Sequence, residues 1–243
     1  MFVGLGTVFN LLTIVIGAAI GIALGGRLPK KSQKMITDVL GLITILGATS
    51  ALIPLWSSDF IESLPDGSPL LLILASMLLG GLIGTALKIE QRVESFGENL
   101  RKRFKASQES SFVEGFVSAS LLFVIGPLAI LGSVSDGMSQ GIDQLILKSS
   151  LDFFAAMAFA STLGIGVMAS IIPVGIYQGF WTLIGLIAGS VLEQYQIQAM
   201  TICGGLMLAG IGLRLLDIKK ISVANLLPAL VIAPVLATAL HNF

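Results

Sequence analysis

"VGLGTVFNLLTIVIGAAIGIALG", residues 3–25, holds twenty-three residues without one charged side chain. An α-helix rises about 1.5 Å per residue, so about 20 mostly apolar residues cross the hydrocarbon core of a bilayer. The run is long enough to do so. It also exceeds the about 7–15 apolar residues of a cleaved signal, and no charged residue precedes it, so it is predicted to stay as a transmembrane helix.

The rest of the chain repeats the pattern. Further apolar runs at 36–56, 69–87, 114–131, 152–172, 174–192, 197–215 and 221–240 make eight predicted spans. Composition agrees: 55% of the 243 residues are apolar and 12% charged, where soluble domains carry about 25% charge. The predicted fold is an all-α, polytopic transmembrane helical bundle. A formal net charge of zero offers no basic footprint for nucleic acid. No phosphate loop or metal-spaced His/Cys cluster appears, so neither an enzyme nor a cofactor or metal site is expected. Cys203, the single cysteine, reads as a buried small hydrophobe.

Lys and Arg in short loops are retained on the cytoplasmic side. With the N-terminus outside, the loops after spans 1, 3 and 7 hold thirteen of the fourteen Lys and Arg residues, leaving only Lys148 outside. Both termini then face outward, and the bacterial inner membrane is the simplest home.

Weak self-similarity suggests a duplication. "ITILGATSAL" (43–52) resembles "IGLIAGSVL" (184–192), "GGLIGTALK" (80–88) resembles "GGLMLAGIGLR" (204–214), and "SASLLFVIGPLAIL" (118–131) resembles "VANLLPALVIAPVL" (223–236). These pair spans 2, 3 and 4 with 6, 7 and 8, dividing the single membrane domain into halves 1–131 and 132–243 as two parallel four-helix repeats. Span 1 then pairs with span 5, which sets Asn10 opposite Asp152.

Asp152 is the leading candidate for function, because a carboxylate in hydrocarbon costs a few kcal/mol and persists where it meets a cavity, a partner or an ion. A rival reading makes it a helix-end residue at the outer interface, suited to the helix dipole and capped by Ser149 or Ser150. Against that, the preceding "IDQLILKSSLD" is itself helical in character, which would carry Asp152 inward with Lys148 at i−4. Pro127 and Pro234 each remove a backbone donor and crowd the carbonyl four residues back, that of Phe123 or Leu230. Each helix is expected to kink or break there, either offering carbonyls to a cation or simply aiding packing. The following "GSVSDGMSQG" is expected as an outer loop, with a re-entrant segment as the alternative for 132–148. Gly17, Gly21 and Gly25, like Gly80 and Gly84, are spaced for close helix contact. Tyr177 and Trp181 fit a cytoplasmic aromatic belt, with Gln178 and Thr182 as candidates to line a path, and His241 is expected to be inert.

Residues 88–113 form a basic amphipathic linker, either an interfacial helix drawn to anionic lipid or a solvated connection. The expected partners are the bilayer and a small solute or cation, with a homo-oligomer left open.

"FVSASLLFVIGPLAILGSVSDG" (116–137), "KSSLDFFAAMAFASTLGIGV" (148–167), "IYQGFWTL" (176–183) and "NLLPALVIAP" (225–234) resemble the YqgA/YdfK-like bacterial integral membrane family, the domain of unknown function 554. The resemblance covers the whole chain. The family pattern carries a methionine after Gly-Pro and a glycine after Leu-Asp, where this chain has Leu128 and Phe153. It implies a polytopic bacterial membrane protein and supplies no substrate. The residues themselves favour a secondary, ion-coupled transporter of a small solute or ion, with a passive channel or a non-transporting scaffold or sensor as alternatives.

Overall fold

The apolar runs fold into helices in the computed structural model, with no strand among the described residues. Those residues are 2–107, 111–189 and 192–242. Residues 108–110 of the predicted linker, 190–191 of the predicted sixth span, and the side chains of Pro127 and Ala188 lie outside them. In chain order the helices are α1 (Leu5–Gly25), α2 (Lys30–Leu52, extended by a 3-10 turn at Ile53–Trp56), α3 (Ser58–Glu62), α4 (Ser68–Ala86), α5 (Ile89–Arg103), α6 (Phe112–Ile125) and α7 (Pro127–Gly137). They continue with α8 (Asp143–Leu163), α9 (Gly166–Ala169), α10 (Ile171–Ala188), α11 (Gln194–Leu215), a 3-10 turn at Val223–Leu226, and α12 (Ala229–His241).

Packing groups residues 1–40 with 94–191 as one unit, and 41–93 with 192–243 as the other. The units interleave along the chain, so they do not follow the sequence halves 1–131 and 132–243.

In the first unit α1 lies directly on α8. A Cβ built on Gly17, Gly21 or Gly25 would come within 2.3, 2.1 and 2.1 Å of the carbonyl oxygens of Phe153, Met157 and Ser161. Only glycine permits this approach, and the two series advance together by four residues, so the helices run parallel. α6 is the central helix, with 11 of its 14 residues buried. It ends at Gly126, whose extended backbone (φ −76°, ψ 147°) is the conformation demanded before a proline, and α7 departs at 62°.

At about 21 Å and 16 Å long, neither α6 nor α7 reaches across a core about 30 Å thick. Together they do. Gly115 of α6 abuts Leu163 at the far end of α8 and Val167 of α9 just beyond it, whereas Gly132 of α7 abuts Leu145 near the start of α8, and Asp136 meets the start of α1. Counted as one broken span, the pair brings the helices long and apolar enough to cross a membrane, among the described residues, from seven to eight. The second unit agrees with that parity: Gly80 faces Ala229 at the start of α12 and Gly84 faces Asn225 in the 3-10 turn before it, so the last span (Val223–His241) enters antiparallel to α4. The chain is a multi-pass helical membrane protein.

Several expectations need correction. The fifth span is 143–163, because Gly164, at φ 71° and ψ −153° in a region open only to glycine, stops α8 and starts the short α9. The next span correspondingly runs over 166–187 and leaves Tyr177 midway along it, away from a belt at its end. The outer loop expected after Pro127 is instead α7 followed by a short turn. Pro234 breaks nothing: α12 continues through it, since only one helical turn precedes the ring. The discontinuity in the last span falls earlier, between the 3-10 turn and Pro228. His241 is exposed as expected, but stacks on Tyr195 with ring centroids 4.4 Å apart and bonds through Nδ1 to the carbonyl oxygen of Ser63 at 2.7 Å.

Gly21→Ala forces α1 from α8 and is expected to cost about 1–3 kcal/mol. Gly47→Ala, whose Cβ meets nothing within 4 Å, is expected to keep stability or raise it by up to about 1 kcal/mol. Thermal unfolding of both variants in detergent checks the contrast.

Candidate functional site

The approach of α1 to α8 decides where the polar side chains of the first unit meet. α8 begins at Asp143, so Asp152 is its tenth residue, well inside the span. The helix-end reading is overturned, because "DQLILKSSLD" joins the same helix. Lys148 lies one turn before Asp152 on the same face, and its Nζ donates to Asp152 Oδ2.

From α1, Asn10 donates through Nδ2 to the same Oδ2 at 2.9 Å. From α10, Gln178 donates through Nε2 to Asn10 Oδ1 at 3.1 Å. Asn10 and Gln178 are fully buried, Lys148 is 4% exposed and Asp152 7%. Three helices thus supply a chain of donors that converges on one carboxylate oxygen. It ends at Gln178 Oε1, a buried acceptor with no hydrogen-bond partner. Such an atom is an open valence of the network.

The cluster lies beside the broken span. Lys148 Nζ stands 5.8 Å from the ring centroid of Phe123, in the last turn of α6 before Gly126. Irregular backbone at membrane depth survives where it is buried in protein or lines a wet cavity, and the residues flanking this break, Ile125 and Ala129, are buried. Asp152, Asn10, Lys148, Gln178 and Phe123 therefore come together. Pro234 and Leu230 belong to the second unit and are not part of this cluster. Thr182, proposed with Gln178 to line a path, faces Thr7 with hydroxyl oxygens 3.4 Å apart.

Two polar groups escaped the sequence reading. Asp136, 3% exposed, accepts from the backbone N–H of Gly4 at 3.2 Å and of Gly6 at 3.0 Å, closing the positive end of α1 from 130 residues away. In the second unit Glu90 accepts from Arg214 Nη1 at 3.0 Å and from the Ala224 N–H at 2.8 Å, while Asn225 Oδ1 accepts from the Glu90 N–H at 2.9 Å. This set ties the start of α5 to α11 and the 3-10 turn, and the buried carboxylate of Glu90 is balanced by the half-buried Arg214. Distance along the chain hid both. No group of three or more potential metal-ligating side chains occurs among the described residues.

Removing one member of the Lys148–Asp152 pair leaves a buried charge unmatched, which costs about 3–5 kcal/mol. Lys148→Met and Asp152→Asn should each lower stability by about that much. The double variant keeps an acceptor for Asn10 and should cost less than either single change. Unfolding of all four proteins in one detergent tests the coupling.

Two curated bacterial proteins align along nearly their full length. The chain is 30% identical over 238 residues to the uncharacterized membrane protein YdfK of Bacillus subtilis (strain 168), covering 98% of this chain and 97% of that protein. It is 31% identical over 239 residues to the uncharacterized protein YqgA of Escherichia coli (strain K12), covering 97% of each. No solved structure matches the chain. The family described as "Protein of unknown function (DUF554)" matches residues 5–238. With nearly the whole chain matched, this multi-pass membrane protein belongs to that family.

Proposed function

We propose that the protein is a secondary, ion-coupled transporter of a small solute or ion. The observation that carries this reading is the buried cluster of Lys148, Asp152, Asn10 and Gln178, set in the middle of a span beside a broken helix. Two opposite charges and two amides are far more than packing α1 on α8 requires, because the glycine contacts already hold that pair. Ionisable groups at such depth mark pathways and coupling sites in membrane proteins.

The charges cancel within the cluster, so the resting site is neutral. Gln178 Oε1 remains as an acceptor for a ligand that brings a hydrogen-bond donor or a positive charge. The broken span is the element best placed to move, since the Gly126 junction lacks continuous helical hydrogen bonding. The distribution of Lys and Arg supports a bacterial inner-membrane location with the start of α1 outside. The internal matches support descent by duplication. Nothing in this chemistry calls for catalysis or a cofactor.

Purified protein in liposomes, challenged with a panel of labelled amino acids and monovalent cations alongside pH and potential dyes, tests the proposal. Saturable uptake is expected in the wild type. Asp152→Asn and Gln178→Met should abolish it; Gln178→Met is expected to keep monodisperse elution and helical content, and Asp152→Asn, which lowers stability, is read only where the variant still elutes as folded protein. Unsaturable, passive conductance would replace the transporter with a channel. Uptake that survives both substitutions would move the site away from this cluster.

A further inference from the structure

The segment joining the third and fourth spans is held at one membrane face by construction. α4 ends at Ala86 and α6 begins at Phe112. Between them α5 is pinned by rings: Phe96 packs on Phe116 with centroids 5.8 Å apart, and Phe104 on Phe112 at 5.9 Å. Gly97 fits closely, since a Cβ there would meet Phe116 at 2.9 Å. The helix is therefore fixed in rotation, and so is the face it turns away from the protein.

That face is sorted by charge. Arg92, Phe96, Asn99 and Arg103 follow the i, i+4, i+7, i+11 spacing of one helical stripe, and all four are exposed. Lys102 and Lys105 are exposed beside them, and Lys88 stands just before the helix. The carboxylates of α5 are buried, half-buried or paired: Glu90 is buried on Arg214, Glu94 is half-buried, and Glu98, its side chain 45% exposed, is bound to Arg101 at 2.7 Å. Among the described residues 87–107, every charged residue exposed as a whole is a cation, and the one well-exposed carboxylate, that of Glu98, is neutralised by Arg101.

We propose that this face of α5 is a binding surface for anionic phospholipid. Its aromatic rings, 44% exposed at Phe96 and 47% at Phe104, enter the headgroup boundary, and the surrounding cations meet the lipid phosphates. A solvated linker has no need of exposed phenylalanines, and its charges would be mixed. A surface that attracts lipid by charge and holds it by apolar contact shows both features, in the place where the adjoining spans put it against the bilayer. The proposal is independent of any transport activity.

A fluorophore on Asn99→Cys reports the surface directly; Cys203 is fully buried and stays in place, with the unlabelled wild type as control. The full chain in nanodiscs of phosphatidylcholine is compared with nanodiscs containing increasing phosphatidylglycerol, using spin-labelled lipid as a quencher from the membrane and iodide as one from water. Phosphatidylglycerol should raise lipid quenching and suppress iodide quenching. The triple change Lys102→Gln, Arg103→Gln, Lys105→Gln should weaken the apparent lipid affinity by roughly a hundredfold, and high salt should mimic it. Equal quenching in both lipids, or a triple variant that behaves as wild type, would overturn the proposal. Free access of iodide in phosphatidylglycerol would also overturn it, and would return the segment to a solvated linker. Protection in native membranes that phosphatidylglycerol cannot restore after purification would assign the surface to a protein instead.

Discussion

The approach of α1 to α8 along Gly17, Gly21 and Gly25 sets the conditions for everything else in the first unit. Helices in lipid gain little from hiding apolar side chains from one another, because the lipid is equally apolar, so close backbone contact has to supply the attraction. Three glycines at one spacing bring two backbones together over nine residues, Gly17 to Gly25. Asn10 lies within two helical turns of the first of them, and it arrives beside Asp152 because the register is fixed. A side chain at any of the three would push the helices apart and stretch the Asn10–Asp152 bond along with the packing.

The polar cluster is expensive in a way the glycine seam is not. A charge inside a membrane is tolerated where an opposite charge and further hydrogen bonds meet it. Lys148 and Asp152 lie one helical turn apart in the less favourable order for the helix dipole, and the two amides from α1 and α10 make up the difference. The result rigidifies three helices at one level of the membrane and leaves one acceptor, Gln178 Oε1, unspent.

Much of this was legible from composition and spacing. Span number and the glycine contacts rest on local periodicity, which apolar sequence records well, while Asn10 was set opposite Asp152 by the internal matches that pair span 1 with span 5. The failures share a cause as well. Hydropathy windows slide freely along apolar sequence, so they set the fifth span nine residues late and turned α7 into a loop, missing that Gly164 ends one helix and that "GSVSDG" continues another. The aromatic pair at 177 and 181 was misplaced by the same slip. Asp136 and Glu90 were missed for a different reason. Their partners are backbone amides or an arginine more than 120 residues distant, and no window reaches so far. Pro234 shows the limit of residue-type rules, since a proline one turn into a helix has little helix to disturb.

The separation of Asn10 and Asp152 by 142 residues also sets a schedule for biogenesis. A ribosome adding about 5–20 residues per second delivers Asp152 roughly 7–28 s after Asn10. Through that interval α1 sits in the bilayer with its amide unmet, and Asp136 has not yet arrived to close its N-terminal end. The interleaving of the two packing units extends the delay, because residues 41–93 enter between the first unit's opening helix and the rest of it. The nascent chain therefore needs a shelter for α1 until more than half the protein has been made, which places a demand on the insertion machinery that a chain with sequential units would not impose.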